Sequence, residues 1–390
     1  MLPFALDEYR DRLDRVRRSM ARRGIDVLVV SNPGNMCWLT GYDGWSFYVH
    51  QCVVVAQEEG EPLWIGRLMD ANAARVTTWL KPASIHGYPD RYVHSTERHP
   101  MQYVAALLRE RGLDKGVVGV EMDVYYFTAA SYVTLTAELP AARFTDATAL
   151  VNWDRIVKSE AEIGCMRQAA AIVDAMMTAG IDAIRPGVRQ CDAVAEIYRV
   201  MASGTPDYGG EYSAIVPMLP TGEGTSTPHL TWSDEPFRTG EATILELAGV
   251  RRRYNCPMAR TVHLGTPPQR LADTEKVVVE GLNRAIAAAK PGATAEEVER
   301  AWSATIARHG IEKESRIGYS PGLAYPPDWG EGTVSLRPGD RTVLQENMVL
   351  HIIPGIWMDD WGIEISECIR VGADGGEPLC TYPRKLVVKD

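Results

Sequence analysis

The chain has 390 residues, too many for one small domain and enough for two packed lobes or one large α/β fold. Hydrophobic residues at 45% and charged residues at 24% are the proportions of a globular protein, which excludes disordered and fibrous classes. With 51 acidic against 41 basic side chains the net charge of -10 removes the attraction that nucleic acid or an anionic membrane would need, so neither partner is expected.

The first helix expected runs from Asp7 to Arg23, with Tyr9, Leu13, Val16 and Met20 at three-to-four spacing and Gly24 as its stop. The segment IDVLVV (25–30) then reads as a buried strand closing on Ser31-Asn32-Pro33-Gly34, a turn cluster. The alternation returns through VVVA (53–56), YVAALLRERG (103–112) and GVVGVE (116–121), which points to a sheet covered by helices. No glycine-rich phosphate loop interrupts it, and no apolar run reaches the ~20 residues of a membrane span. The opening MLPFALDEYR lacks a signal-peptide pattern, so a cytoplasmic protein is expected. Seven scattered cysteines without a C-x-x-C pair support neither a disulfide framework nor structural zinc, and read as small buried hydrophobes.

Ser159 and Glu162 form a capping-box pattern ahead of the periodic stretch Ile163 to Ile181, and mark a second lobe. The expected domains are 1–154 and 155–390. Within the second, AIRPGVRQCDAVAEIY (183–198) is echoed by AAKPGATAEEVERAW (288–302), with the Pro-Gly pairs 105 residues apart. The segments TGEATILELAG (239–249) and QENMVLHIIPG (345–355) continue the echo and set Glu246 opposite Ile353. Two similar α/β halves around a central cleft are expected, a usual place for a small-molecule site.

These patterns resemble the creatinase, aminopeptidase P and methionine aminopeptidase family over nearly the whole chain. The resemblance implies an α/β (α+β) protein whose carboxy-terminal domain has the pita-bread fold, preceded by a creatinase-type α/β domain. The metallopeptidases of that family hold two metals with five ligands. Here ELAGVRRRYNCPMART (246–261) puts Glu246 at the first ligand position and Pro257 at the second, with Arg260-Thr261 retained. Tyr319 in GYSPG (318–322), Ile353 in HIIPG (351–355) and Ser366 in GIEISE (362–367) stand at the other three. One carboxylate in five positions is a poor donor set for Zn²⁺, Mn²⁺ or Fe²⁺, so no metal and no other cofactor is expected. Longer strings, GYDGWSFYVHQ (41–51), TERHPM (96–101), VGVEMDVYYFTA (118–129), PHLTWSDEP (228–236) and ESRIGYSPGLAYPPDWGE (314–331), are similar to those of ectoine hydrolases, a metal-free branch. That resemblance implies hydrolytic opening of a zwitterionic cyclic amidine, ectoine, to N-acetyl-diaminobutyrate. A creatinase-like guanidine hydrolase, an Xaa-Pro peptidase-like protein and an inactive binding protein are the alternatives.

Glu246 lies in the apolar run ATILELAG (242–249), where a carboxylate can meet an amidinium and act as nucleophile or general base; pairing with Arg251, Arg252 or Arg253 is its structural alternative. His229, after Pro228 in a turn-rich segment, suits proton delivery to a departing amine. Glu364 is expected to hold the substrate cation, unless it is a half-exposed residue balanced by Arg370. Tyr319 offers a hydroxyl to substrate, and Trp45, Phe47 and Trp329 are candidate aromatic walls for the cation. The family resemblance implies a homodimer in which the Trp45–Phe47 loop completes the neighbouring site. His351 reads as alternate-strand packing with an ordinary hydrogen bond.

Overall fold

A computed structural model describes residues 2–58 and 60–390, and the chain divides into two compact units, Met1–Arg155 and Ile156–Asp390. The first unit is built on strands β1 (Val27–Val30), β2 (Cys52–Ala56), β3 (Leu63–Arg67), β4 (Ile85–Tyr88), β5 (Gly116–Val120) and β6 (Ala142–Asp146), ordered β4-β3-β2-β1-β5-β6. Central β1 pairs antiparallel with β2 and parallel with β5, and all four of its residues are buried. That is why its sequence is an unbroken apolar run rather than an alternating one. The opening helix covers Leu6–Arg23 and ends on Gly24 in the left-handed region at φ +62°. The Ser31–Gly34 cluster is not a turn between elements, as the sequence suggested. It starts a helix, Pro33–Thr40, where the Asn32 side chain accepts hydrogen bonds from the backbone of Gly34 and Asn35, and Pro33 lies in the first turn. The GYDGWSFY segment is an irregular loop.

The second unit opens with helix Glu160–Ala183, capped reciprocally by Ser159 and Glu162. Helix Gln190–Ser203 follows, and then the long antiparallel pair β7 (Ala242–Arg251) and β8 (Tyr254–Leu264). The order repeats with helices Gln269–Ala288 and Ala295–Ile306 and the strands β9 (Gly318–Pro321), β10 (Gly330–Ser335) and β11 (Val349–Ile352). The chain then continues through β12 (Ile356–Trp357), β13 (Gly362–Ile363), β14 (Glu367–Val371), β15 (Gly376–Pro378) and β16 (Val387–Lys389). Two sheets result, β16-β8-β7 and β10-β9-β11-β14-β15, with β12 and β13 paired apart.

The internal echo is visible in detail. Gly187 and Gly292 both adopt left-handed φ, +84° and +87°. Their N–H groups donate to Phe237 and Leu344, residues that are themselves equivalent in the repeat. The halves meet where their strands abut: Ser366 N–H donates to Ala259 C=O at 3.1 Å, and Ala259 N–H to Ser366 Oγ at 2.7 Å.

Arg260, retained from the family motif, locks this junction. Its guanidinium is fully buried and donates to the carbonyls of Ala259, Ser366, Tyr382 and Pro383 at 2.6–2.8 Å, with Glu367 at 3.5 Å. Among the described residues no helix is long and apolar enough to cross a membrane.

Candidate active site

Period-two alternation along the β7–β8 pair puts Glu246, Ala248, Pro257 and Ala259 on one face, since Glu246 faces Ala259 and Ala248 faces Pro257. Backbone bonds between Glu246 and Met218, at 3.0 and 3.1 Å, fix the strand on its other edge. Small residues, Ala214, Ala248 and Ala324, pack with Trp329, and Tyr319 and Ile215 lie against them. The Glu246 carboxyl thus stands among apolar groups, and it makes no ion pair with Arg251, Arg252 or Arg253. Arg251 bonds Gln168 and Gly209, and Arg253 pairs with Glu211. Burial, reinforced by the charge of Asp328, holds the Glu246 carboxyl above the ordinary carboxylate range.

Glu364 follows β13, where its backbone N–H and C=O both engage the Thr261 hydroxyl at 2.9 Å. It is completely buried, and neither carboxyl oxygen has a hydrogen-bond partner. Arg370 does not balance it, being held by Glu160, Glu346 and Glu377. Burial and the nearby Glu246 charge raise the Glu364 carboxyl well above its usual value, while Lys313 pulls the other way. Lys313 is itself lowered to about 8 by burial; its ammonium donates to Gly355 C=O at 2.6 Å and lies 4.1 Å from the Trp357 ring centre.

Tyr319, on β9, receives the indole N–H of buried Trp329 at 2.7 Å. Its hydroxyl is also 3.2 Å from His351 Nδ1, and His351 Nε2 is 2.7 Å from Ser366 Oγ. Burial first, then the charge of Glu246, lifts the Tyr319 phenol well above its usual value. The Arg316 guanidinium covers the ring at 4.7 Å. His351 is fully buried and held down to about 3, by burial and then by Arg260 and Arg316, so it is neutral at working pH.

The structure therefore gathers Glu246, Glu364, Tyr319 and Trp329 in one region of the second unit. His229 lies outside that group: it is exposed in irregular chain and makes no hydrogen bond among the described residues. Its neighbour Leu230 accepts from Leu219 N–H, next to Met218, which brings the segment to the β7 edge. Trp45 and Phe47 belong to the first unit, with ring centres 4.7 Å apart and Trp45 58% exposed. His351, expected to pack within its strand with an ordinary hydrogen bond, is buried there and bonded to Tyr319 and Ser366. Lys313 and Arg316, in an irregular stretch before β9, carried no local pattern that would single them out.

Residues 164–373 match metallopeptidase family M24, and residues 12–157 match the creatinase/prolidase N-terminal domain. The ectoine hydrolase of Halomonas elongata is 51% identical over 100% of this chain and 99% of its own length. The Xaa-Pro dipeptidase of Lactobacillus helveticus is 26% identical, covering 93% of this chain and 95% of that protein. The crystal structure of the prolidase from Pyrococcus horikoshii superposes with a TM-score of 0.81, at 21% identity over 97% of this chain and 100% of that one, a likeness of fold.

A metallopeptidase family implies metal ions, and the residues here do not fit them. Pro257 and Ile353 offer no donor atom, and the Ser366 hydroxyl is committed to Ala259 and His351. Among the described residues no cluster of three or more His, Cys, Asp or Glu is placed to hold a metal.

Proposed function

We propose that this chain, which belongs to metallopeptidase family M24, is a hydrolase that opens the cyclic amidine ring of ectoine to N-acetyl-diaminobutyrate without a metal. The observation that carries the reading is the buried Glu246–Glu364 pair, with two Glu364 oxygens that no protein donor satisfies. A buried acceptor left without a donor costs ~1–3 kcal/mol, more when charged, so the site is incomplete until a ligand supplies N–H groups and positive charge. A protonated cyclic amidine supplies both, with one N–H on each nitrogen. Glu364 holds that cation, and Trp329 and Tyr319 wall it. Arg316, over the Tyr319 ring, is an exposed cation available to the substrate carboxylate.

Glu246 then promotes attack on the amidine carbon, by adding its own oxygen or by taking the proton of an attacking water. In either case water's oxygen ends on that carbon as an amide C=O, one ring C–N bond breaks, and the departing nitrogen leaves as an amine with an added proton. His229 is assigned that proton delivery, which its Pro-His loop at the β7 edge would allow. The 51% identity to an ectoine hydrolase over the whole chain supports the substrate.

We further place the enzyme in the cytoplasm as a homodimer. Seven free cysteines favour a reducing compartment, and the exposed Trp45 beside Phe47 suits a loop that closes a neighbour's site. Proton NMR of the purified protein with ectoine, creatine and an Xaa-Pro dipeptide in separate tubes tests the function. Conversion of ectoine alone, with an acetamide methyl signal appearing, is expected. Turnover of creatine or dipeptide with ectoine intact would overturn the reading.

A further inference from the structure

Three side chains at the centre of the second unit form a hydrogen-bonded line, Ser366–His351–Tyr319, and the ring-opening reading uses only the last. Proton accounting along it leaves one economical arrangement. Ser366 Oγ accepts the Ala259 N–H at 2.7 Å, and its only other partner among the described residues is His351 Nε2 at 2.7 Å. If Nε2 carried the imidazole proton, Ser366 Oγ would accept twice. Its own hydrogen, on a fully buried side chain, would then have no acceptor, at a cost of ~1–3 kcal/mol. With the proton on Nδ1 the unspent hydrogen moves from fully buried Ser366 to the less buried Tyr319, and Ser366, His351 and Trp329 are all satisfied. Ser366 O–H donates to Nε2, Nδ1–H donates to Tyr319 Oη, and Trp329 N–H donates to the same oxygen.

Tyr319 Oη then accepts twice from inside the protein, and its hydrogen is the one left unspent. Unlike Ser366, Tyr319 is not fully buried as a residue, and among the described residues no acceptor for that hydrogen is present. Tyr319 packs against the cluster that contains Ala248, which shares its face of β7 with Glu246, so the hydroxyl and the reacting carboxyl belong to one site.

We propose that Ser366 and His351 are positioning residues that keep the Tyr319 hydroxyl a donor turned toward Glu246, engaging the amidine group only after attack on it has begun. The inference rests on the ring-opening reading and deepens it. A protonated amidine is donor-only: both nitrogens carry hydrogen and neither has a free lone pair. A hydroxyl donor gains nothing from that ground state. Once oxygen adds to the carbon, the tetrahedral centre bears an oxygen and nitrogen lone pairs, and the fixed O–H meets an acceptor. An interaction made only at this stage raises kcat and leaves KM alone.

The test is a double-mutant cycle on ectoine hydrolysis with Tyr319→Phe, His351→Gln, Ser366→Ala and the two doubles that combine Tyr319→Phe with each of the others. Tyr319→Phe is expected to lower kcat by roughly 100-fold, and His351→Gln and Ser366→Ala by about 10-fold each. KM should move by no more than about two-fold, as for a contact made after binding. Each double variant should match Tyr319→Phe, because the outer residues act through it. Losses that multiply, or a rise in KM at unchanged kcat, would overturn the proposal.

NMR of the ring nitrogens of ¹⁵N-histidine-labelled wild-type protein needs neither substrate nor a folded variant of His351. A neutral buried imidazole protonated at Nδ1 is expected, and protonation at Nε2 would overturn the arrangement. Wild-type protein inert toward ectoine but showing the Nδ1–H tautomer would refute the function while leaving the hydrogen-bond arrangement standing, so the two failures are distinguishable.

Discussion

Glu246→Gln should lower kcat for ectoine by roughly 1000-fold or more, because it removes the charge that attacks or deprotonates while keeping side-chain shape. The same change should not weaken the fold. Burial holds this carboxyl above the ordinary range, so the folded protein keeps its proton at pH values where the unfolded chain, with a carboxyl near 4.3, has already released it. The stability this provides is fully present below the unfolded value and is lost as pH rises through the folded one. Glu364 and Glu367 behave in the same sense, the latter raised to about 7 by burial against the pull of Arg260 and Arg384. Unliganded wild type should therefore melt at a lower temperature at pH 8 than at pH 5.5, and Glu246→Gln should recover part of the difference. Thermal melts at the two pH values with steady-state kinetics check both halves. A variant that is fully active, or inactive only because it is unfolded, would contradict the account.

Arg260→Met should be the most destabilising single change near the site. The guanidinium satisfies four carbonyls drawn from β8, the Ser366 strand junction and the Tyr382–Pro383 segment, and it faces the buried Glu367. Removing one partner of a buried charged pair costs ~3–5 kcal/mol. For a unit of this size that lowers the melting temperature by roughly 10 °C. A loss of that order, read by denaturant or thermal unfolding, is expected at pH 7. Unchanged stability would mean that the motif arginine is kept for chemistry rather than for the junction.

Much of this could be read from the residues because local rules and global fold agree there. The Tyr9–Leu13–Val16–Met20 stripe, the Ser159–Glu162 cap and the repeated Pro-Gly turns each state a local geometry that tertiary packing preserves. The Glu246, Tyr319 and Ser366 positions were visible only through resemblance, since no spacing rule joins residues on β7, β9 and the approach to β14. The Asn32-Pro33 pair was read as a turn because the same residues that break a chain also begin a helix, and only the following residues decide. The isolation of Glu364 depends on Arg370 turning to Glu160, Glu346 and Glu377, a choice made among distant side chains. His351 was legible as a packed strand residue but its partners were not, since Tyr319 and Ser366 are 32 and 15 residues away and become neighbours only when β9 and β14 flank β11.

Ring opening by buried carboxylates without a metal is the proposed chemistry. It is tested most directly by following ectoine by proton NMR with protein stripped by chelation and dialysis, its metal content measured on the same sample. An unchanged rate at far less than one metal per chain is expected, with no stimulation by added Zn²⁺, Mn²⁺ or Fe²⁺. Activity that disappears on stripping and returns in proportion to added metal would contradict it.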